Sequence, residues 1–167
     1  NSHPHMSQSG DLVIVHNGII ENHSKLRAQQ NQDGFSFTSE TDTEVAAHQV
    51  EYYLKQQGNL LDAVRLAVAD FEGAYALGVI SNSDNNRLVA TRKGSPLVIG
   101  VGIGEYFIAS DASPIVEYTK NVVYIEDEHV AIIRRGEELK IRTIRDKEIT
   151  PYVQELEMEL EAIEKGG

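Results

Sequence analysis

No cysteine occurs among the 167 residues, which excludes a disulfide framework, a thiolate metal centre and a thiol nucleophile supplied from within them. Basic residues are also scarce, 15 Lys and Arg against 26 Asp and Glu, for a formal net charge of −11. That balance disfavours phosphate backbones and anionic lipid, so neither nucleic acid nor membrane is an expected partner. No stretch approaches the roughly 18 consecutive apolar residues of a membrane span. The opening Asn1-Ser2-His3-Pro4-His5 has no charged region followed by an apolar one, so no secretory leader is expected. A soluble, cytoplasmic protein follows as the expectation. The start at Asn1 and the abrupt end at Glu164-Lys165-Gly166-Gly167 suggest a piece of something longer.

What is present is apolar material for one domain with a continuous core, 41% of the residues. Leu12 to Val15 is a short all-apolar run that fits a buried strand, with Asn17-Gly18 breaking it. Glu21 to Gln30 reads as a short surface helix anchored by Leu26, and Gly34-Phe35-Ser36-Phe37 alternates like a strand. A long helix starts at Thr41 or Asp42 and stops at Gly58; a second carries Leu60, Leu61, Val64, Ala67, Val68 and Phe71 and stops at Gly73. From Ala74 to Arg145 the pattern turns to short β runs: Tyr75–Ile80, Leu88–Thr91, Leu97–Val101, Tyr106–Ser110, Val122–Ile125, His129–Arg134 and Leu139–Ile144. Asp111 to Thr119 reads as a short helix and Val153 to Glu164 as an acidic one. Helices against mainly antiparallel strands define an α+β layered domain.

Asn17-Gly18 is in general a hairpin dipeptide, but Ile19-Ile20-Glu21-Asn22-His23 does not continue as a second alternating strand. The functional reading is an oxyanion hole, with the Asn17 side-chain N–H and the Gly18 backbone N–H converging on one oxygen. Asp42 is a natural N-cap for the long helix and can also face a ligand ammonium group. Glu40 and Glu44 read as solvated charges at the helix start. His16, after an apolar strand, reads as a packed, hydrogen-bonded histidine, while His23, His48 and His129 carry no spacing signal. His3-Pro4-His5 lacks a third ligand, so no metal is expected. The glycine row from Gly94 to Gly104 has no helix behind it to hold phosphate, and Ser95 lacks the Gly-x-Ser-x-Gly elbow of serine hydrolases.

In chain order, Val15-His16-Asn17-Gly18-Ile19-Ile20-Glu21-Asn22, Ser39-Glu40-Thr41-Asp42-Thr43-Glu44-Val45, Phe71-Glu72-Gly73-Ala74-Tyr75, Arg92-Lys93-Gly94-Ser95-Pro96-Leu97-Val98-Ile99-Gly100 and Phe107-Ile108-Ala109-Ser110-Asp111 resemble the glutaminase domain of the glutamine–fructose-6-phosphate aminotransferase (isomerising) family. The resemblance spans essentially the whole chain. It implies a class II glutamine amidotransferase of the N-terminal-nucleophile type: a four-layer sandwich with two antiparallel sheets between helices. In that family a free amino-terminal cysteine attacks the side-chain amide of L-glutamine. The ammonia passes to a sugar isomerase domain that makes glucosamine 6-phosphate for amino-sugar biosynthesis.

By the same resemblance, Asn17 and Gly18 match the oxyanion-hole pair, Asp42 the carboxylate that binds the glutamine α-amino group, and His3 a histidine bordering the pocket. The family's nucleophilic cysteine, the strand it begins and an Arg-Trp-Ala-Thr-His segment lie upstream of the matching region, and this chain has neither. Residues 1–150 are therefore read as a partial glutaminase domain lacking its amino-terminal strands. Residues 151–167 are read as an acidic helix leading toward an absent sugar isomerase domain. No cofactor is expected, and the chain alone is expected to be inactive. Open sheet edges are expected to favour homo-oligomers or association with the absent segment. A phosphoribosyl or asparagine amidotransferase module, and a non-catalytic binding module, remain as alternatives.

Overall fold

A computed structural model of the protein describes residues 5–82 and 84–156. A two-residue strand, β1 (His5–Met6), and a nine-residue strand, β2 (Leu12–Ile20), precede three helices, α1 (His23–Gln32), α2 (Asp42–Gln57) and α3 (Leu60–Ala69). The strands that follow are β3 (Gly73–Ser81), β4 (Asp84–Lys93), β5 (Val98–Val101), β6 (Tyr106–Ala109), β7 (Asn121–Tyr124), β8 (His129–Arg134), β9 (Lys140–Thr143), β10 (Glu148–Ile149) and β11 (Gln154–Glu155).

They form two sheets. One has seven strands in the order β1-β2-β3-β4-β8-β9-β10, the other four in the order β11-β7-β5-β6, and neighbouring strands are antiparallel throughout. Strand alternation decides what each face buries. Leu12, Ile14 and Ile20 of β2, Leu77 and Val79 of β3 and Val89 of β4 pack against Ala46, Val50, Leu60, Val64 and Val68 of the helices. On the opposite face, Ala76, Ala90, Ala131 and Ile133 meet Leu97, Ile99 and Val123 of the smaller sheet. The small alanines of the large sheet let the two sheets approach closely.

Helix α2 is bounded by its own chemistry. The Thr41 side chain accepts from Glu44 N at the start, and Gly58, at φ 67°, closes the end with its N–H on Leu54 O. Helix α3 begins on Asn59, whose side chain accepts from Asp62 N. The two helices lie side by side as one layer over the large sheet.

Several expectations are corrected here. Asn17-Gly18 does not end the strand, because β3 offers backbone partners from Leu12↔Ser81 to Ile20↔Gly73 and β2 runs through. Residues 34–37 form no strand; Phe35 and Phe37 instead place their rings on His48 of α2, at centroid separations of 4.8 and 4.7 Å. Their alternation serves helix packing and not a ladder. Asp111 to Thr119 is a run of turns and not a helix. It still covers the outer face of the small sheet, where Ala112, Ile115 and Val116 pack on Val98 and Val122. At the expected start of the acidic helix, Gln154 and Glu155 pair with Val122 and Asn121 as a strand, and Leu156 packs into the same outer core. Residues 151–156 thus belong to the body of the domain; 157–164 lie outside the described residues.

Candidate active site

The site is built on the edge of β2. Its β1 partner reaches only His5↔Ile14 and Met6↔Val13, so beyond Ile14 no strand covers that side of β2 among the described residues. The open stretch is where Asn17, Gly18 and Ile19 are exposed. Bonds flanking the ladder fix which groups face outward. Asn82 N donates to Asp11 O and Glu21 N to Glu72 O, so the odd-numbered residues exchange hydrogen bonds with β3. In an antiparallel pair, the alternate residues point their N–H and C=O the other way. Leu12 conforms, with its N–H on Ser7 Oγ and its carbonyl accepting from Ser7 N. By the same alternation the N–H of Gly18 faces the open edge.

Gly18 has a conformation that favours glycine. Its φ is +96°, and a Cβ there would sit 2.2 Å from Ala74 O, 2.8 Å from Tyr75 Cα and 2.9 Å from Ser95 Oγ. The Ser95 turn that presses on it is firmly held. Arg92 donates from Nε to Ser95 O and from Nη1 to Ile125 O, pairs with Asp127 at 3.0 Å, and Asp127 also accepts from Gly94 N.

Asp42 reaches the same edge from the helix side. Its Oδ2 accepts from Ile20 N at 2.9 Å, taking the place of a strand on the side of Ile20 away from β3. Its Oδ1 lies 3.7 Å from His16 Nδ1, and the side chain remains 21% exposed. One oxygen is therefore held and the other is available to a cation. Asp42 is not the cap expected from sequence; Thr41 caps the helix, and Asp42 opens its first turn. A negative charge there is favoured by the helix dipole.

His16 is buried, as expected, with Nδ1 2.9 Å from Thr43 Oγ1 and Nε2 without a protein partner. Burial lowers its pKa, with Asp42 only partly compensating, so the ring is neutral near pH 7. The Asn17 side chain, pointing to the opposite face of β2, borders a cleft of about 390 Å³ between the two sheets, walled also by Val15, Gly78, Leu97, Ile108 and Ser110. That volume is inside the roughly 300–1,000 Å³ range of small-molecule sites. Asn17 and Gly18 thus share the uncovered stretch of β2 and Asp42 joins it at Ile20, while the Asn17 side chain borders the cleft on the other face of the strand. His3 lies outside the described residues.

Two side chains that sequence reasoning set aside are part of this region. Glu44, expected to be solvated, is only 2% exposed, and accepts from Thr38 N, Ser39 N and Ser39 Oγ at 2.8, 2.7 and 2.6 Å. His48, one turn later, brings Nε2 to 3.2 Å from Glu44 and 3.1 Å from Ser36 O. The signals were available: Thr41-x-x-Glu44 has capping-box spacing, and Glu44 and His48 are at i, i+4. No group of three or more potential metal ligands occurs among the described residues.

Chemically, this stretch of β2 offers an outward backbone N–H at Gly18 and a carboxylate held at Ile20 two residues along, with the Asn17 carboxamide at the adjoining cleft. That combination suits a small molecule carrying both a polarisable carbonyl and an ammonium group. A glutamine amidotransferase domain model matches residues 1–117. Over the whole chain, 46% of residues are identical to a glutamine–fructose-6-phosphate aminotransferase (isomerising) of Bacteroides thetaiotaomicron and 47% to that of Chlorobaculum tepidum. The chain spans 27% of the length of each of these relatives. Among solved structures, glutamine phosphoribosylpyrophosphate amidotransferase from B. subtilis superposes with a TM-score of 0.68 at 26% identity, covering 86% of this chain and 31% of that one. The chain belongs to the glutamine amidotransferase domain family.

Proposed function

We propose that the chain forms most of a glutaminase site that releases ammonia from L-glutamine. A longer protein containing it would use that ammonia to convert fructose 6-phosphate to glucosamine 6-phosphate. The observation that carries the reading is the open edge of β2, where the N–H of Gly18 faces outward, Asn17 is exposed next to it in the chain and Asp42 is tied to Ile20 N. The 46% identity over the full chain to the sugar aminotransferase, against 26% to the phosphoribosyl enzyme, supports the sugar acceptor.

In this reading Asp42 holds the α-ammonium group while the side-chain carbonyl points at Asn17 and Gly18. When a nucleophile adds to the amide carbon, the carbonyl oxygen gains charge, and the two donors stabilise it more than they stabilised the neutral carbonyl. Ammonia leaves as the tetrahedral intermediate collapses, and water then releases glutamate. The nucleophile is a cysteine thiol contributed by another segment of the longer protein, since none of the 167 residues is cysteine. Without that thiol the acyl-enzyme cannot form, so the chain alone is inactive.

The test is glutamine hydrolysis by the full-length protein. Asn17→Ala should lower kcat by about 10²–10³-fold, the cost of one oxyanion donor. Asp42→Asn should act mainly on the KM for glutamine. Unchanged kinetics in both variants, or sustained ammonia release by the purified 167-residue chain, would overturn the reading.

A further inference from the structure

The segment that delivers Asp42 to the site has no regular structure, yet it is gripped from two sides. From α1, Arg27 donates Nη1 to Ser39 O at 3.0 Å and Nη2 to Thr41 O at 3.2 Å, and its guanidinium lies 4.3 Å from the centre of the Phe37 ring. From α2, the Glu44 carboxylate collects the N–H groups of Thr38 and Ser39 and the Ser39 hydroxyl. Ser39 Oγ also lies 2.9 Å from Thr41 Oγ1, tying the middle of the segment to the helix cap.

Carbonyls are therefore held by a cation on one side and N–H groups by an anion on the other. Such charge-assisted hydrogen bonds are stronger and more directional than neutral ones. The next residue after this segment is Asp42. Arg27 has no carboxylate partner among the described residues; its donors go to backbone oxygens. Helix α2 has, besides this grip, a cap at each end and a buried face of its own.

We propose that Arg27 and Glu44 are positioning residues for Asp42: by fixing the path of Thr38–Thr41 they present its carboxylate, already oriented, to the ligand's α-ammonium group. This rests on the reading of Asp42 given under the proposed function. Pre-ordering a binding group lowers the entropy lost on association and so acts on affinity more than on the chemical step.

The experiment measures glutamine KM and kcat in the full-length protein for Arg27→Met, Arg27→Lys, Asp42→Asn and the Arg27→Met/Asp42→Asn double variant. Methionine keeps the unbranched stem without the donors, and lysine keeps the charge but cannot bridge two carbonyls. Arg27→Met should raise KM by about tenfold with kcat within about twofold, a loss of binding common to ground and transition states. Arg27→Lys should rise less, and on the Asp42→Asn background Arg27→Met should add nothing, because the group it orients has gone. The proposal is overturned if Arg27→Met leaves KM unchanged, or if its effect multiplies in full with that of Asp42→Asn. Should Asp42→Asn itself leave KM unchanged, the assignment of Asp42 fails and the positioning role with it. A raised KM in Asp42→Asn beside an unaffected Arg27→Met sinks the positioning role alone. The Arg27→Lys variant keeps the test valid if methionine disturbs folding.

Discussion

Gly18 carries two constraints at once, a left-handed φ and three close neighbours, two of them backbone atoms of β3. Backbone does not yield as a flexible side chain would, so Gly18→Ala has to open the β2–β3 ladder locally. The expected loss of stability is at least about 2 kcal/mol, combining strain at positive φ with overpacking. A urea midpoint that falls at constant m value would show it; an unchanged midpoint would mean that the strand absorbs the methyl group. The same geometry explains why glycine is needed in a site that also needs an outward N–H. A side chain on that residue would push the strand away from Tyr75 and Ser95, and the donor would move with it.

At the scale of elements, α2 carries an acid-labile joint. His48 titrates below its ordinary 6.5, chiefly because it is buried, with Glu44 opposing only in part; His16 is lowered for the same primary reason. The unfolded chain therefore binds these protons more readily than the folded one, and stability is whole above 6.5 and declines as pH falls below it. Burial would raise the Glu44 pKa, but the hydrogen bonds from Ser39 and Thr38 outweigh it and hold the carboxylate below its ordinary 4.5. Its contribution is present above 4.5 and is lost as pH falls through the lowered value. All three groups thus destabilise the fold on acidification, the histidines first. His48→Gln should flatten the decline in Tm between about pH 7 and pH 5 relative to the parent. A Tm independent of pH over that range in the parent chain would contradict it.

Helix α2 also shows what the sequence made legible. Its limits, the α3 partner and the runs that became β3 to β9 could be read because each carries a local signal: a cap, a glycine stop or alternation between turns. Asn17, Gly18 and Asp42, proposed here as site residues, were legible as residue types in a recognisable order. Their joint edge was not, because it depends on a ladder to β3 some sixty residues away and on a β1 that stops at Ile14. Glu44 was misread for a similar reason. A carboxylate in a first helical turn looks solvated until the preceding segment folds back and gives it Thr38 and Ser39. Phe35 and Phe37 copied a strand pattern because a helix above them, and not a neighbouring strand, took both rings.

At the scale of the molecule, the unpaired edges among the described residues include that of β6 in the small sheet and that of β2 beyond Ile14. Between them lies the cleft, bordered by exposed Ile108 (39%) and Val15 (36%), and Ile19 (63%) is exposed further along β2. Open ladder groups beside exposed apolar side chains favour pairing with another chain. The isolated protein should accordingly form dimers or larger species as its concentration rises, measured as a mass increase by light scattering. A mass that stays at 18.5 kDa across the range would count against this.

Strand β2 serves two faces in strict alternation. Leu12, Ile14 and Ile20 enter the helix-side core, while Val15 and Asn17 border the cleft. A shift of one residue exchanges those faces completely. The region therefore has little tolerance for changes in length: a single inserted or deleted residue between Val13 and Gly18 would send Asn17 toward the helices and a core side chain into the cleft. Substitutions can reshape this site one group at a time, whereas an insertion or deletion must dismantle the core and the site in the same step.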